Sequence, residues 1–340
     1  MVSQLAPTSR LANTWPKLWA ASARPTALRR FAAFTVWALA IGIVSGGAVR
    51  LTGSGLGCKD WPACTSTSVV APLAFHPWME FGNRLVNALI TAAIVGTALT
   101  ALRRRPRRAD LLWLSGGLVA GVFGEVVLGG ETVLHKLAPP FVMGHFLLAI
   151  ALMVCALALW HRSRLADLPR AEREGWALAP PARCLVRRGQ LLASRAMLGW
   201  TFVVVTLGTV VTGTGPHAGA PGVPRFKFSL HTVAQLHGTS VELLLGLTVL
   251  TLWSLHRSRA HPAVLRRAEV LLCALVAQAA VGYTQYFTGD PVALVGVHIA
   301  GATTVVVAMC WFNFGLFVHE KPQGRAIGVR PSAEHELARS

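Results

Sequence analysis

Residues 139–160 read PPFVMGHFLLAIALMVCALALW, an uncharged run closed by His161, Arg162 and Arg164. A helix of that length measures about 33 Å, enough to cross a hydrocarbon core roughly 30 Å thick. Comparable apolar runs occupy 31–50, 78–102, 111–134, 196–213, 231–255, 268–288 and 292–318. The chain has 340 residues, 53% of them hydrophobic and 14% charged. A soluble domain carries about a quarter charged residues. The pattern predicts an all-α, polytopic membrane protein with eight transmembrane helices.

The formal net charge of +18 does not point to nucleic acid, because of where it sits. Arg103, Arg104, Arg105, Arg107 and Arg108 share one connection, and eight arginines lie between Arg162 and Arg195. Arg257, Arg259, Arg266 and Arg267 fill a third. The intervening connections hold only Lys59, Lys136, Arg225 and Lys227. Positive charge in every second loop is the positive-inside signature, and it suits anionic lipid head groups. It places both termini and loops 103–110, 161–195 and 256–267 in the cytoplasm of a multi-pass protein of the cell membrane. Residues 1–30 lack a secretory signal's apolar core and read as a cytoplasmic tail. The tail 319–340 is polar, and the stretch after Glu320 is expected to be disordered.

The other connections differ in kind. Loops 51–77 and 214–230 are long and rich in Gly and Pro, whereas 135–138 and 289–291 are tight turns. Thr52-Gly53-Ser54-Gly55 after the first span recurs as Thr212-Gly213-Thr214-Gly215 after the fifth. Leu128-Gly129-Gly130 and Val281-Gly282-Tyr283 precede the two tight turns. The chain therefore reads as two pseudo-repeated four-helix bundles, 31–160 and 196–318, joined by a basic linker at 161–195.

Of twelve histidines, only His145, His237 and His298 lie within apolar runs. His145 is six residues after Pro139, His237 seven after Leu230 and His298 seven after Pro291. Each is thus roughly 9–10 Å inside its helix from the same side. Two imidazoles level on different helices can clamp a haem iron from both faces. The alternative is two unrelated polar residues lining a cavity. Counting back through the repeat from His145 reaches Asn83, an amide where the second half has His237. Asn is not a usual haem ligand, so this half holds haem through His145 alone or leaves one iron face open. His76, one helical stretch earlier on nearly the same face, reaches the site only if its helix begins early; a surface histidine is the simpler reading.

Glu80 stands one turn above Asn83, and Arg84 follows at the spacing of an ion pair. Glu80 is either an interfacial acid paired with Arg84 or a carboxylate serving the open site, where it moves a proton or stabilises developing charge. Glu125, Glu131 and Glu242 are further acids near the membrane, with no role beyond pairing or lining a cavity. Cys58 and Cys64 lie in the first long loop, on the side where disulfides form; a disulfide is expected, with free thiols or a redox role as alternatives.

The run Gly46-Gly47-Ala48-Val49-Arg50-Leu51-Thr52-Gly53-Ser54-Gly55-Leu56-Gly57-Cys58, with Asp60-Trp61-Pro62 and Cys64, resembles the signature of the haem A synthases. Glu80-Phe81-Gly82-Asn83-Arg84, Gln235-Leu236-His237, Gln285-Tyr286-Phe287-Thr288-Gly289 and Val295-Gly296-Val297-His298 extend the resemblance over about 31–318. The resemblance implies oxidation of the C8 methyl of haem O to a formyl group, by successive hydroxylations, for cytochrome oxidase biogenesis. It implies a haem b cofactor ligated by His237 and His298, and a substrate haem site holding His145, Asn83 and Arg84, with Glu80 catalytic. It also implies a Cys58–Cys64 disulfide. It leaves room for haem O synthase as a partner and for a quinone as electron acceptor. Many members have His where Asn83 stands, Lys59 replaces a common Pro, and the second long loop lacks a cysteine pair. The competing function is a diheme b-type cytochrome linked to quinone; a transporter with a histidine-lined cavity is the third.

Overall fold

The computed structural model describes residues 23–169 and 175–319. The N-terminal tail up to residue 22 and the tail from 320 onwards, where disorder is expected, lie outside the described residues. Eight long helices follow in order: α1 Pro25–Leu51, α2 Phe75–Arg103, α3 Ala109–Leu134, α4 Pro139–Ser163, α5 Arg188–Thr214, α6 Leu230–Arg257, α7 Pro262–Phe287 and α8 Val292–Phe314. Seven are long and apolar enough to cross a membrane. The chain is an all-α multi-pass membrane protein. The exception is α7, whose apolar run is broken by Gln278, Tyr283, Thr284, Gln285 and Tyr286. Geometry nevertheless makes it the return stroke. His237 and His298 lie near the starts of α6 and α8, and their ring centroids are 6.4 Å apart. Both helices therefore start at one level, and α7 carries the chain back between them.

Several boundaries differ from the sequence reading. α1 begins at Pro25 rather than 31, with proline in the first turn where its missing N–H is harmless. α5 begins at Arg188 rather than 196, because Gln190 Oε1 accepts the Arg187 N–H at 3.0 Å and closes the helix start. α8 stops at Phe314 rather than 318. Beyond it, β4 (Phe317–His319) pairs antiparallel with β3 (Ala182–Cys184). The linker also forms a second antiparallel pair, β1 (Leu168–Pro169) with β2 (Ala177–Leu178). Its described residues are thus partly folded, and not merely a charged connection.

The helices pack as two rings of four, α1-α2-α3-α4 and α5-α6-α7-α8. The rings meet through α1–α8, α4–α5 and α4–α8. Exchanging α1 with α5 and α4 with α8 maps that set onto itself, as a two-fold axis along the membrane normal requires. The tight turns repeat as well. Lys136 and Leu137 take φ of 50° and 58°; Gly289 and Asp290, at the matching places, take 79° and 57°. Small residues bring paired helices close, as usual in lipid. A Cβ on Gly42 would lie 2.4 Å from Ile90 of α2, and one on Gly121 would lie 2.5 Å from Leu152 of α4.

Buried side chains are unevenly placed along these helices. They concentrate toward the arginine-rich end: Ile90 to Ala101 on α2, Leu111 to Val122 on α3, Ile150 to Ser163 on α4, Ser240 to Leu255 on α6, Val264 to Leu275 on α7 and Thr303 to Phe312 on α8. The layer holding Asn83, His145, His237 and His298 lies between this core and the disulfide end. Among the described residues it contains few buried side chains in either ring.

At the arginine-rich end, Arg104 and Arg108 are each 1% exposed, so these two serve the fold rather than lipid head groups. Arg104 donates to both Asp167 oxygens at 2.7 Å, and Arg108 pairs with Asp110 at 2.7 Å. Removing one partner of a buried pair strands the other charge, at a cost of about 3 kcal/mol. Asp167→Asn is accordingly expected to lower stability by about that amount. Thermal unfolding in detergent checks it; an unchanged midpoint would show that Arg104 needs no carboxylate.

Candidate functional site

The disulfide end is built around Glu80. Cys58 and Cys64 are bonded, fully buried and packed with Ala71 and Phe81. The Cys58 N–H donates to Glu80 Oε2 at 2.8 Å, and Arg84 donates to Oε1 at 2.6 Å. Arg84 also donates to the carbonyls of Asp60, Pro62 and Ala63, so one guanidinium ties α2 to the disulfide loop. Glu80 is 5% exposed, with both oxygens engaged. Gly57 is required here: a Cβ would lie 2.4 Å from the His76 carbonyl oxygen. α2 does begin early, at Phe75, yet His76 Nδ1 bonds Ser54 Oγ at 2.9 Å and belongs to the loop. Trp61 reaches α3, where a Cβ on Gly130 would be 3.0 Å from its ring.

The loops of the two rings interlock above this layer. Arg50, ending α1, donates to the carbonyls of Thr212 and His217 at 2.7 and 2.6 Å. Gly55 N–H donates to the Gly219 carbonyl at 2.9 Å. Both copies of the Thr-Gly-Ser/Thr-Gly motif therefore lie in one joined cap.

Below the cap, His237 of α6 and His298 of α8 face each other with rings inclined by 77°. His237 Nδ1 lies 3.1 Å from the Val204 carbonyl, which can only accept. The ring thus carries its proton on Nδ1, and its Nε2 lone pair is free for a metal. Two imidazoles on opposite faces of one metal have centroids about 6 Å apart, given metal–nitrogen bonds of about 2 Å and about 1 Å more to each ring centre. The observed 6.4 Å matches that span. Two donors are too few for a bare ion, and among the described residues no group of three or more His, Cys, Asp and Glu side chains is placed to hold one. A ligand that brings its own equatorial nitrogens fits the pair. His298 Nδ1 is buried without a hydrogen-bond partner.

Each histidine rests on a glycine of a neighbouring helix; Gly129 and Gly282 stood out in the sequence only as repeat markers, and Gly208 not at all. A Cβ on Gly208 would lie 3.2 Å from His237, one on Gly282 3.0 Å from His298, and one on Gly129 3.5 Å from His145. A side chain at Gly208 or Gly282 would crowd the ring beside it, whereas at Gly129 the contact would be an ordinary one. In the first ring, Asn83 Oδ1 accepts from Ser45 Oγ at 2.7 Å. His145 has another neighbour: its Nδ1 lies 2.5 Å from Glu125 Oε2. Glu131 pairs with His135 at 3.0 Å, and Glu242 accepts from the Tyr283 hydroxyl. These acids thus pair, and among them Glu125 meets one of the three histidines of the apolar runs.

Comparison with known proteins bears on this arrangement. Residues 29–310 match the model of the cytochrome oxidase assembly protein family. The chain belongs to that family. It is 28% identical over 324 residues to a haem A synthase of Bradyrhizobium sp. strain BTAi1, covering 79% of this chain and 85% of the relative. The haem A synthase of Bradyrhizobium sp. strain ORS 278 is 27% identical, with 82% and 88% covered. That of Halalkalibacterium halodurans is 25% identical, with 79% and 88% covered. The family match spans all eight helices except the first residues of α1 and the last of α8, so both rings belong to the shared architecture.

Proposed function

We propose that the chain is a haem A synthase, an oxidoreductase that converts the C8 methyl of haem O to a formyl group. The observation that carries the reading is the pair of opposed imidazoles, His237 and His298, at a separation suited to one intervening iron. In this reading they hold a haem b in the ring α5–α8, and the substrate sits in α1–α4. His237 and His298 would hold the haem, which would supply one-electron redox chemistry there rather than a place for the reactant.

The first ring differs in the way substrate chemistry needs. His145 offers one axial ligand, and Asn83, held by Ser45, is no usual second one. One iron face is left for reaction. Arg84 and Glu80, tied to the disulfide loop, stand one turn from Asn83 on the same helix. Glu80 is the proton-handling group in this scheme, fixed in position by Cys58 and Arg84. The arginine-rich end faces the cytoplasm of the cell membrane by the positive-inside rule. The substrate is lipophilic, so direct delivery by haem O synthase and electron exchange with a membrane quinone suit a bilayer-embedded site.

Purified protein supplied with haem O in air, together with an electron donor and a quinone acceptor, should yield haem A, identified by the mass of the extracted pigment. Reversible reduction of the bound haem with haem O recovered unchanged would instead identify an electron-transfer cytochrome.

A further inference from the structure

Glu125 and His145 are separated by 20 residues, and so are Gln278 and His298. The glycine that carries each ring lies four residues after the first member: Gly129 after Glu125, Gly282 after Gln278. Glu125 and Gln278 therefore occupy one position of the repeat, with a carboxylate in one ring and a neutral amide in the other. Their contacts differ accordingly. Gln278 Nε2 donates to the main-chain carbonyl of His298 at 2.8 Å, and the ring nitrogen of His298 is left alone. Glu125 Oε2 instead lies 2.5 Å from the ring nitrogen Nδ1 of His145. The two atoms touch without the alignment of a full hydrogen bond; His145 Nδ1 and Glu125 Oε1 are both buried and have no hydrogen-bond partner among the described residues. A carboxylate within a membrane helix is expensive unless it has a task.

We propose that Glu125 is a positioning residue that accepts the Nδ1–H of His145, directing the Nε2 lone pair at the substrate iron and making the imidazole a stronger donor. A carboxylate behind a ligating histidine fixes its tautomer and raises its basicity. Gln278 cannot do this for His298. The repeat thus gives the two irons different electronic settings: an electron-rich one in α1–α4 and a neutral bis-imidazole one in α5–α8. The inference rests on the reading that His145 ligates the substrate haem.

The test uses the full chain loaded with haem O and reduced, read by resonance Raman at the iron–histidine stretch of the five-coordinate haem. The bis-imidazole haem gives no such band. Glu125→Gln, which installs the residue the chain already uses at position 278, is expected to lower the stretching frequency and raise that haem's midpoint potential. Haem A formation should fall about 10–100-fold. Glu125→Asp should restore part of the shift, and the six-coordinate haem should keep its potential in both variants. A band that vanishes in His145→Ala yet stays unshifted in Glu125→Gln overturns the role of Glu125 alone. A band that survives His145→Ala overturns the ligand reading on which it rests.

Discussion

His237→Ala and His298→Ala are each expected to reduce the cofactor haem that co-purifies with the protein by on the order of tenfold or more. The reason is geometric. The rings stand 6.4 Å apart, each on a glycine, so an alanine at either place leaves one side of the gap without its imidazole. Haem content of the purified variants, by extraction, checks the loss. His237→Met separates ligation from packing. Methionine is a competent axial ligand that raises the potential relative to bis-histidine. That variant should retain haem and show a higher midpoint potential. Normal haem content with an unchanged potential in all three variants would remove the ligand assignment.

Glu80→Gln is expected to stop most haem A formation while leaving the fold and the cofactor haem in place. The amide oxygen keeps an acceptor facing the Cys58 N–H, but its NH2 cannot accept from Arg84, which is then held by the carbonyls of Asp60, Pro62 and Ala63. Proton-handling groups contribute about a hundredfold or more to rate, and a loss of that size is the expected reading. Glu80→Ala is a harsher change. It strands Arg84 against the disulfide loop, and removing one partner of a buried ion pair costs about 3 kcal/mol. A lowered unfolding temperature should therefore accompany it. Undiminished formyl production in Glu80→Gln would reduce Glu80 to a tie between α2 and the loop.

How much of this was legible in the sequence depended on the range of the interaction. The Glu80–Arg84 pair is an i, i+4 contact, and helical periodicity alone places it. The common depth of His145, His237 and His298 follows from counting residues from each helix start, because rise per residue is fixed. The Cys58–Cys64 bond closes a loop too short to hide. Contacts that depend on the rotation of one helix against another did not show. Glu125 appeared as an acid without a task, although its 20-residue separation from His145 equals that of Gln278 from His298; comparing the two halves position by position would have exposed it. Of the glycines beneath the three rings, Gly129 and Gly282 were visible only as repeat markers, and Gly208 was not visible at all. The β3–β4 pairing joins residues far apart in sequence, and no local pattern announces it. Arg104 and Arg108 look like any other loop arginines until Asp110 and Asp167 are found beside them.

The central claim is that α6 and α8 present two imidazoles to opposite faces of one iron. Electron paramagnetic resonance of the oxidised, purified full chain tests it most directly. The expected result is a low-spin ferric haem b with bis-imidazole signals, lost in His298→Ala. A spectrum of the intact protein showing only high-spin haem, or no haem at all, would contradict it.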